Sequence, residues 1–431
     1  MNSTSLRIKS PINALVIVAA LGYFVDIYDL ILFNIVKKDS LEALGLGGVD
    51  YSSNEIFLFN CQMGGMLLGG ILWGILGDKK GRLSVLFGSI LLYSVANIAN
   101  AFVTTLPQYA FVRILAGLGL AGELGAGITL VVESMSKETR GYGTMLIVTF
   151  GALGAVFAGM VGKDGAYFAS VANATFGTSL VGWEMAYIVG GLLGFFLLVL
   201  RLGTFESRMF HDARESGVGR GQFLMLFKNK QLLRRYIFCI LIGLPVWFIV
   251  GILIALCIPI TTEMGIQGVA TGTVVMYTYI GLSVGDMLSG TMSQLKRSRK
   301  RVVIAFLFFS LILTEFYLFP VSLQLDWFYS MCFLLGAATG YWALFVTMAS
   351  ELFGTNIRAT VTNTVPNFVR GSVIPLTLLY KFLADFLEGT TRYPKTGAAA
   401  IVGILSFVLA LWGIFSIRDS YSRDLNYVER D

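Results

Sequence analysis

The chain has 431 residues, of which 56% are hydrophobic and only 13% charged, with a mean hydropathy of +0.75 and a formal net charge of +6. A soluble domain carries about 25% charged residues, so no single aqueous core can hold this much apolar surface, and lipid must act as part of the solvent. That excludes a soluble enzyme, and the placement of the positive charge, set out below, argues against a nucleic-acid partner.

The first apolar run extends from Pro11 to about Val36, behind a short polar stretch with Arg7 and Lys9. It contains two aspartates and no small-residue cleavage site, so it reads as a spanning helix and not as a signal peptide. A span needs roughly 20 apolar residues. Twelve such segments begin near Pro11, Glu55, Arg82, Pro107, Gly141, Trp183, Arg235, Val269, Val302, Trp327, Ala359 and Gly397. None shows strand-like alternation, and only helices or closed barrels satisfy their backbone in lipid. The expectation is an all-α membrane protein of twelve helices.

Basic residues sort by loop. With an internal N-terminus, 24 of the 32 Lys and Arg fall on the inner side, including eight from Arg201 to Arg235 and five from Lys296 to Arg301. The outer side holds Lys37, Lys38, Lys163, Arg392 and Lys395, and Arg113, Arg370 and Lys381 lie within spans. This asymmetry predicts both termini in the cytoplasm, in an inner or plasma membrane, and accounts for the net charge. The polar stretch from Phe205 to Leu233 then separates a six-helix half at 1–204 from a second at 234–431, with 205–233 as a cytoplasmic linker. The single histidine, His211, reads as a solvated linker residue. The four cysteines sit in apolar runs without metal or redox spacing, and no cofactor or metal is implied.

The halves share a faint repeat. A shift of 218 residues carries Glu133 onto Glu351, Arg140 onto Arg358 and Gly122 onto Gly340, and the Asp78–Arg82 loop onto Lys296–Lys300. Agreement at three places, the Glu–Arg pair, the glycine and the loop, predicts two pseudo-symmetric halves with a site between them near the midplane.

The loop after the second span, GILGDKKGRLSV from Gly74, resembles the signature G-x-L-x-D-[RK]-x-G-R of the major facilitator superfamily. In the first span, GYFVDIYDLILFN from Gly22 is similar to a stretch of the metabolite:proton and phosphate:proton symporters. The fourth span, with Arg113, Gly117, Gly119, Gly122, Glu123 and Glu133, followed by Arg140 and Gly141, matches the same two branches. This resemblance implies the major facilitator fold and alternating access. It implies a gate on the cytoplasmic side at Asp78 and Arg82, with Glu133, Arg140, Glu351 and Arg358 as its further charges. The second half departs from the pattern, its loop SQLKRSRKRV lacking the aspartate.

A charge in mid-bilayer costs several kcal/mol, so each one in a span needs a reason. By helical rise, Arg113 lies level with Asp29 and within reach of Asp26, predicting an ion pair between the first and fourth spans. Glu123 has no cation in the same turn. Desolvation favours the neutral form of a carboxylate, so Glu123, with Asp26, Asp29 and Arg113, is the predicted proton-coupling group. Arg370 lies deep in the eleventh span beside Asn363 and Asn367, suited to an anionic substrate group. Asp286 reads either as its counter-ion or as a second titrating group. Tyr341 and Trp342, beside Gly340, are further candidates to line the site, although core packing fits them as well. The expected function is proton-coupled symport of a small anionic or zwitterionic metabolite, an organic acid or phosphate-like, by a monomer. The alternative is an exporter or exchanger of drugs or metabolites without proton coupling.

Overall fold

The computed structural model describes residues 13–48, 51–136, 139–202, 221–421, 423 and 425–429. His211 and most of the expected linker lie outside the described residues. Twelve spanning helices follow in order: α1 (Ala14–Ala43), α2 (Tyr51–Lys80), α3 (Arg82–Asn100), α4 (Leu106–Ser134), α5 (Arg140–Lys163) and α6 (Gly182–Leu200). The second half contributes α7 (Lys230–Ile254), α8 (Thr271–Leu295), α9 (Arg299–Leu318), α10 (Leu325–Glu351), α11 (Arg358–Gly371 continued by Val373–Leu387) and α12 (Pro394–Ser416).

Ten of the twelve are long and apolar enough to cross a membrane by composition alone. The two that are not are α8, which carries Thr and Ser in place of aliphatic residues, and α11, which is divided at Ser372 into segments of 14 and 15 residues, the first of them rich in Thr and Asn. Polarity follows position: every residue of Arg358–Gly371 except Phe368 is buried in protein, where side chains find partners that lipid does not offer. Lipid-side positions on other helices are large and apolar, as at Leu68, Phe196 and Trp412.

Within the halves α1 packs on α5, α2 on α4, α8 on α10 and α7 on α12. Between the halves α2 packs on α11, and its repeat mate, α8 against α5, closes the other seam. The glycine stripe of α2 makes two of these contacts. Gly65 and Gly69 lie against the α4 backbone at Ile114 and Leu118, and Gly70 and Gly74 against Asn367 and Thr360 of α11. The turn from α2 to α3 runs through Gly81 at φ +107°, a conformation that side chains disfavour.

Both halves break their fourth helix at the repeat position. In α4 the break is at Ala121–Gly122, and in α10 at Gly340–Tyr341. The face carrying Lys79, Lys80 and the α8–α9 turn is here termed the basic face, and the opposite one the far face. The segment after α12 runs back along the basic face, where the Leu425 carbonyl accepts from Arg358 Nη2 at 2.7 Å and Thr355 N donates to the Tyr427 carbonyl.

Two loop assignments change. Lys37 belongs to α1, which continues to Ala43, and is 5% exposed. Arg201 follows α6 directly and is 1% exposed, folded back into its own half.

Candidate substrate and coupling site

Where the halves meet, residues of α1, α5, α7, α8, α10 and α11 enclose a small cavity of about 20 Å³, room for little more than one water. Arg370 of α11 supplies its cation, and Tyr23, Trp247, Tyr279 and Trp342 supply its aromatic walls. The Arg370 guanidinium lies 5.9 Å from the ring centroids of both Trp247 and Trp342, within cation–π range. Its Nη2 donates to the Tyr23 hydroxyl at 3.4 Å, and Trp342 Nε1 donates to the same hydroxyl at 3.2 Å. Three residues further along α1, one helical turn on, the Asp26 carboxylate stands 3.8 Å from Arg370 Nη2. Neither Asp26 oxygen has a hydrogen-bond donor, so the ion pair is long and one-sided.

The ion pair expected between Asp26 and Arg113 does not form. Arg113 instead donates to Gln62 of α2 and lies over the Phe33 ring at 4.7 Å. An arginine between an amide and a ring face has its charge met without a carboxylate, which leaves Asp26 to the other half. Asp29 packs against Gly190 of α6, and its carboxylate has no hydrogen-bond partner either.

Glu123 is not without a cation. As the first residue after the α4 break it faces Arg201, whose two Nη atoms grip both carboxylate oxygens, Nη1 to Oε2 at 3.0 Å. The pair lies on Gly22 of α1, where a β-carbon would strike both side chains. Nor is Asp286 the counter-ion of Arg370. It accepts from the Ala343 amide at 2.9 Å and so caps the second segment of α10 at its break. Of the remaining expected substrate ligands, Asn367 donates to the Ala121 carbonyl at 2.8 Å, tying α11 to the α4 break. Asn363 donates to its own helix at Ala359 and lies against Gly125. Tyr341 donates to the Ile242 carbonyl at 3.1 Å. These three are not in the cavity wall; Arg370 and Trp342 are.

On the basic face the six expected gating charges come together. Asp78 accepts from the amides of Ala359 and Thr360 at 3.1 and 2.8 Å and from the Thr360 hydroxyl at 2.6 Å. A carboxylate of the first half thereby caps the N-terminus of α11 in the second, where the helix dipole favours negative charge. Glu133 receives Arg82 at 2.8 Å and Arg358 at 3.0 Å. Its repeat mate Glu351 receives Arg140 at 2.9 Å and Arg299 at 2.7 Å. Each glutamate therefore holds one arginine from either half.

Sequence reasoning missed Tyr23, Trp247, Tyr279, Arg201 and Arg299. Trp247 had a signal, since the 218-residue shift that relates the halves carries Asp29 onto it. Tyr23 stands one turn before Asp26. Arg201 had none, because a base just past an apolar run reads as a loop residue.

A helical bundle in two related halves, with a buried cation between them and charge clamps at one face, is the architecture of an integral multi-pass membrane protein. The chain belongs to the Major Facilitator Superfamily, whose family model matches residues 19–377. The proton:xylose symporter XylE, solved with 6-bromo-6-deoxy-D-glucose, superposes with a TM-score of 0.70 over 96% of this chain and 97% of its own, at 16% identity. In sequence, the putative niacin/nicotinamide transporter NiaP of Bacillus subtilis is 33% identical over 143 residues, a third of either chain. The 4-hydroxybenzoate transporter PcaK of Pseudomonas putida is 30% identical over 203 residues, 44% of this chain and 42% of its own. The probable 4-methylmuconolactone transporter of Cupriavidus pinatubonensis is 23% identical over 82% of this chain and 79% of its own.

Proposed function

We propose that the protein carries a small organic anion, an aromatic monocarboxylate by preference, together with a proton. The observation that carries this reading is Arg370, a buried cation between two tryptophans whose acidic partner is the loosely held Asp26. A substrate carboxylate would take the guanidinium fork from Asp26 by direct bidentate bonding. Asp26 would then face a second negative charge in a low-dielectric site, and protonation removes that cost. One proton would accompany one anion. The aromatic walls favour a flat ring over inorganic phosphate, and the niacin and 4-hydroxybenzoate transporters among the relatives are named for such acids.

The proton is assigned to Asp26 in preference to Glu123, because Glu123 already has both oxygens on Arg201. The basic face is assigned to the cytoplasm from its excess of Lys and Arg, with the described ends on that side and the protein working as a monomer. A reporter fused after Asp431 should be active only inside; activity only outside would reverse the orientation.

Uptake of radiolabelled benzoate-type acids, nicotinate and phosphate into cells expressing the protein tests the reading. Accumulation of an aromatic acid that a protonophore stops is the expected result. Accumulation indifferent to the protonophore, or net efflux, would favour the uncoupled exchanger or exporter. Uptake of phosphate alone would overturn the substrate class.

A further inference from the structure

The far face closes by different means from the basic face. Its principal feature is a cavity of about 740 Å³ between the halves, whose wall includes Lys37, Tyr51, Glu55, Ala255 and Pro259. Lys37 of α1 makes an ion pair with Glu55 of α2 and also reaches across to the Ala255 carbonyl, just past α7, at 2.9 Å. Among the described residues no other side-chain hydrogen bond joins the halves on this face.

Two features of the second half leave that carbonyl free. In a continuous helix it would accept from the amide of residue 259, but residue 259 is Pro259, which has no N–H. Upstream, the widened turn Ile249–Ile254 has Ala255 N bonded to the Val250 carbonyl, and helix resumes only at Cys257. Lys37 and Ala255 are also 218 residues apart, the shift that relates the halves. The bond therefore joins equivalent positions of the two halves, close to the axis of pseudo-symmetry, where both halves must part for the far face to open.

We propose that Lys37 is the latch of the far-face gate, closed on the Ala255 carbonyl and parked on Glu55 when the gate opens. Lys37 and Glu55 belong to the same half and move together, whereas Ala255 belongs to the other. Opening then breaks one charge-assisted hydrogen bond but never strands a buried ammonium, which would cost far more. On the basic face opening must separate Glu133 from Arg358 and Glu351 from Arg140, yet each glutamate keeps the arginine of its own half. Both gates thus share one device: Lys37 on the far face and Glu133 and Glu351 on the basic face each keep an oppositely charged partner in their own half.

Spin labels at Ala43→Cys and Gln267→Cys, exposed positions on either side of the far-face mouth, report the opening in protein whose four native cysteines are replaced by alanine. The measurement is made without substrate, so its outcome is separate from that of the proposed anion site. Lys37→Met should raise the ratio of wide to narrow distances about tenfold, the scale of one charged hydrogen bond. Pro259→Ala, which returns a helical amide to Ala255 and leaves the Lys37–Glu55 pair intact, should shift it in the same direction by less. An unchanged distribution in folded, monodisperse Lys37→Met protein overturns the assignment. Should that variant fail to fold, Pro259→Ala decides in its place, widening supporting the latch and no change overturning it.

Discussion

At Arg370 the guanidinium meets a carboxylate, a phenol and two indole faces, with no tight fork-to-fork pair. That arrangement leaves planar donors able to turn to a new acceptor. Arg370→Lys keeps the charge but not the fork, and should weaken binding of an aromatic carboxylate by roughly 10- to 100-fold, about 1.5–3 kcal/mol. Calorimetric titration of purified protein measures this, and affinity unchanged in Arg370→Ala would end the anion-binding role. Asp26→Asn mimics the protonated carboxyl permanently. It should abolish proton-driven accumulation while labelled substrate still exchanges across the membrane. Accumulation that persisted in Asp26→Asn, still sensitive to a protonophore, would move the proton elsewhere.

The broken helices show how elements carry charge to depth. Interrupting α4 at Ala121–Gly122 makes Glu123 the first residue of a new helix, and the end of α6 brings Arg201 to it across Gly22. The second half uses another device at the matching break, where Asp286 of α8 caps the segment from outside its own helix. Removing one member of a buried pair leaves an uncompensated charge and costs about 3–5 kcal/mol, whereas removing both is far milder. Arg201→Gln should therefore lower the melting temperature sharply, and the double variant Glu123→Gln/Arg201→Gln should recover most of the loss. Additive losses in a thermal-unfolding series would show that the two side chains do not act as a pair.

For the molecule as a whole, the described face with Asp78, Glu133 and Glu351 is bridged by charges that cross between halves, and a gating role there has a direct test. Asp78→Asn would keep the size of the α11 cap while removing its charge, weakening three hydrogen bonds and the contact with Arg82 at 3.5 Å. Because these bonds lie a full half-membrane from Arg370, transport rate should fall severalfold or more while substrate affinity stays within about twofold, since an N-cap contributes roughly 0.5–2 kcal/mol. Initial uptake rates set beside ligand-induced stabilisation separate the two quantities. A rate equal to wild type in a well-expressed variant would remove Asp78 from the gate.

Helix number, the two related halves and the clustering of base on one face follow from the chain alone. Hydropathy over some 20 residues and a repeat shift of 218 are local or periodic quantities, and lipid penalises alternatives heavily. The polar helices α8 and α11 were legible too, as the runs that begin near Val269 and Ala359. Pairing of the buried charges was not legible. Depth along a helix, which sequence supplies, placed Arg113 near Asp26 and left Glu123 alone. Rotation about each helix axis and the packing of neighbours, which only the tertiary structure fixes, turned Arg113 to Gln62, brought Arg201 to Glu123 and set Asp26 against Arg370 of the other half. An ion pair depends on a few ångströms in three dimensions, and a one-dimensional reading constrains only one of them.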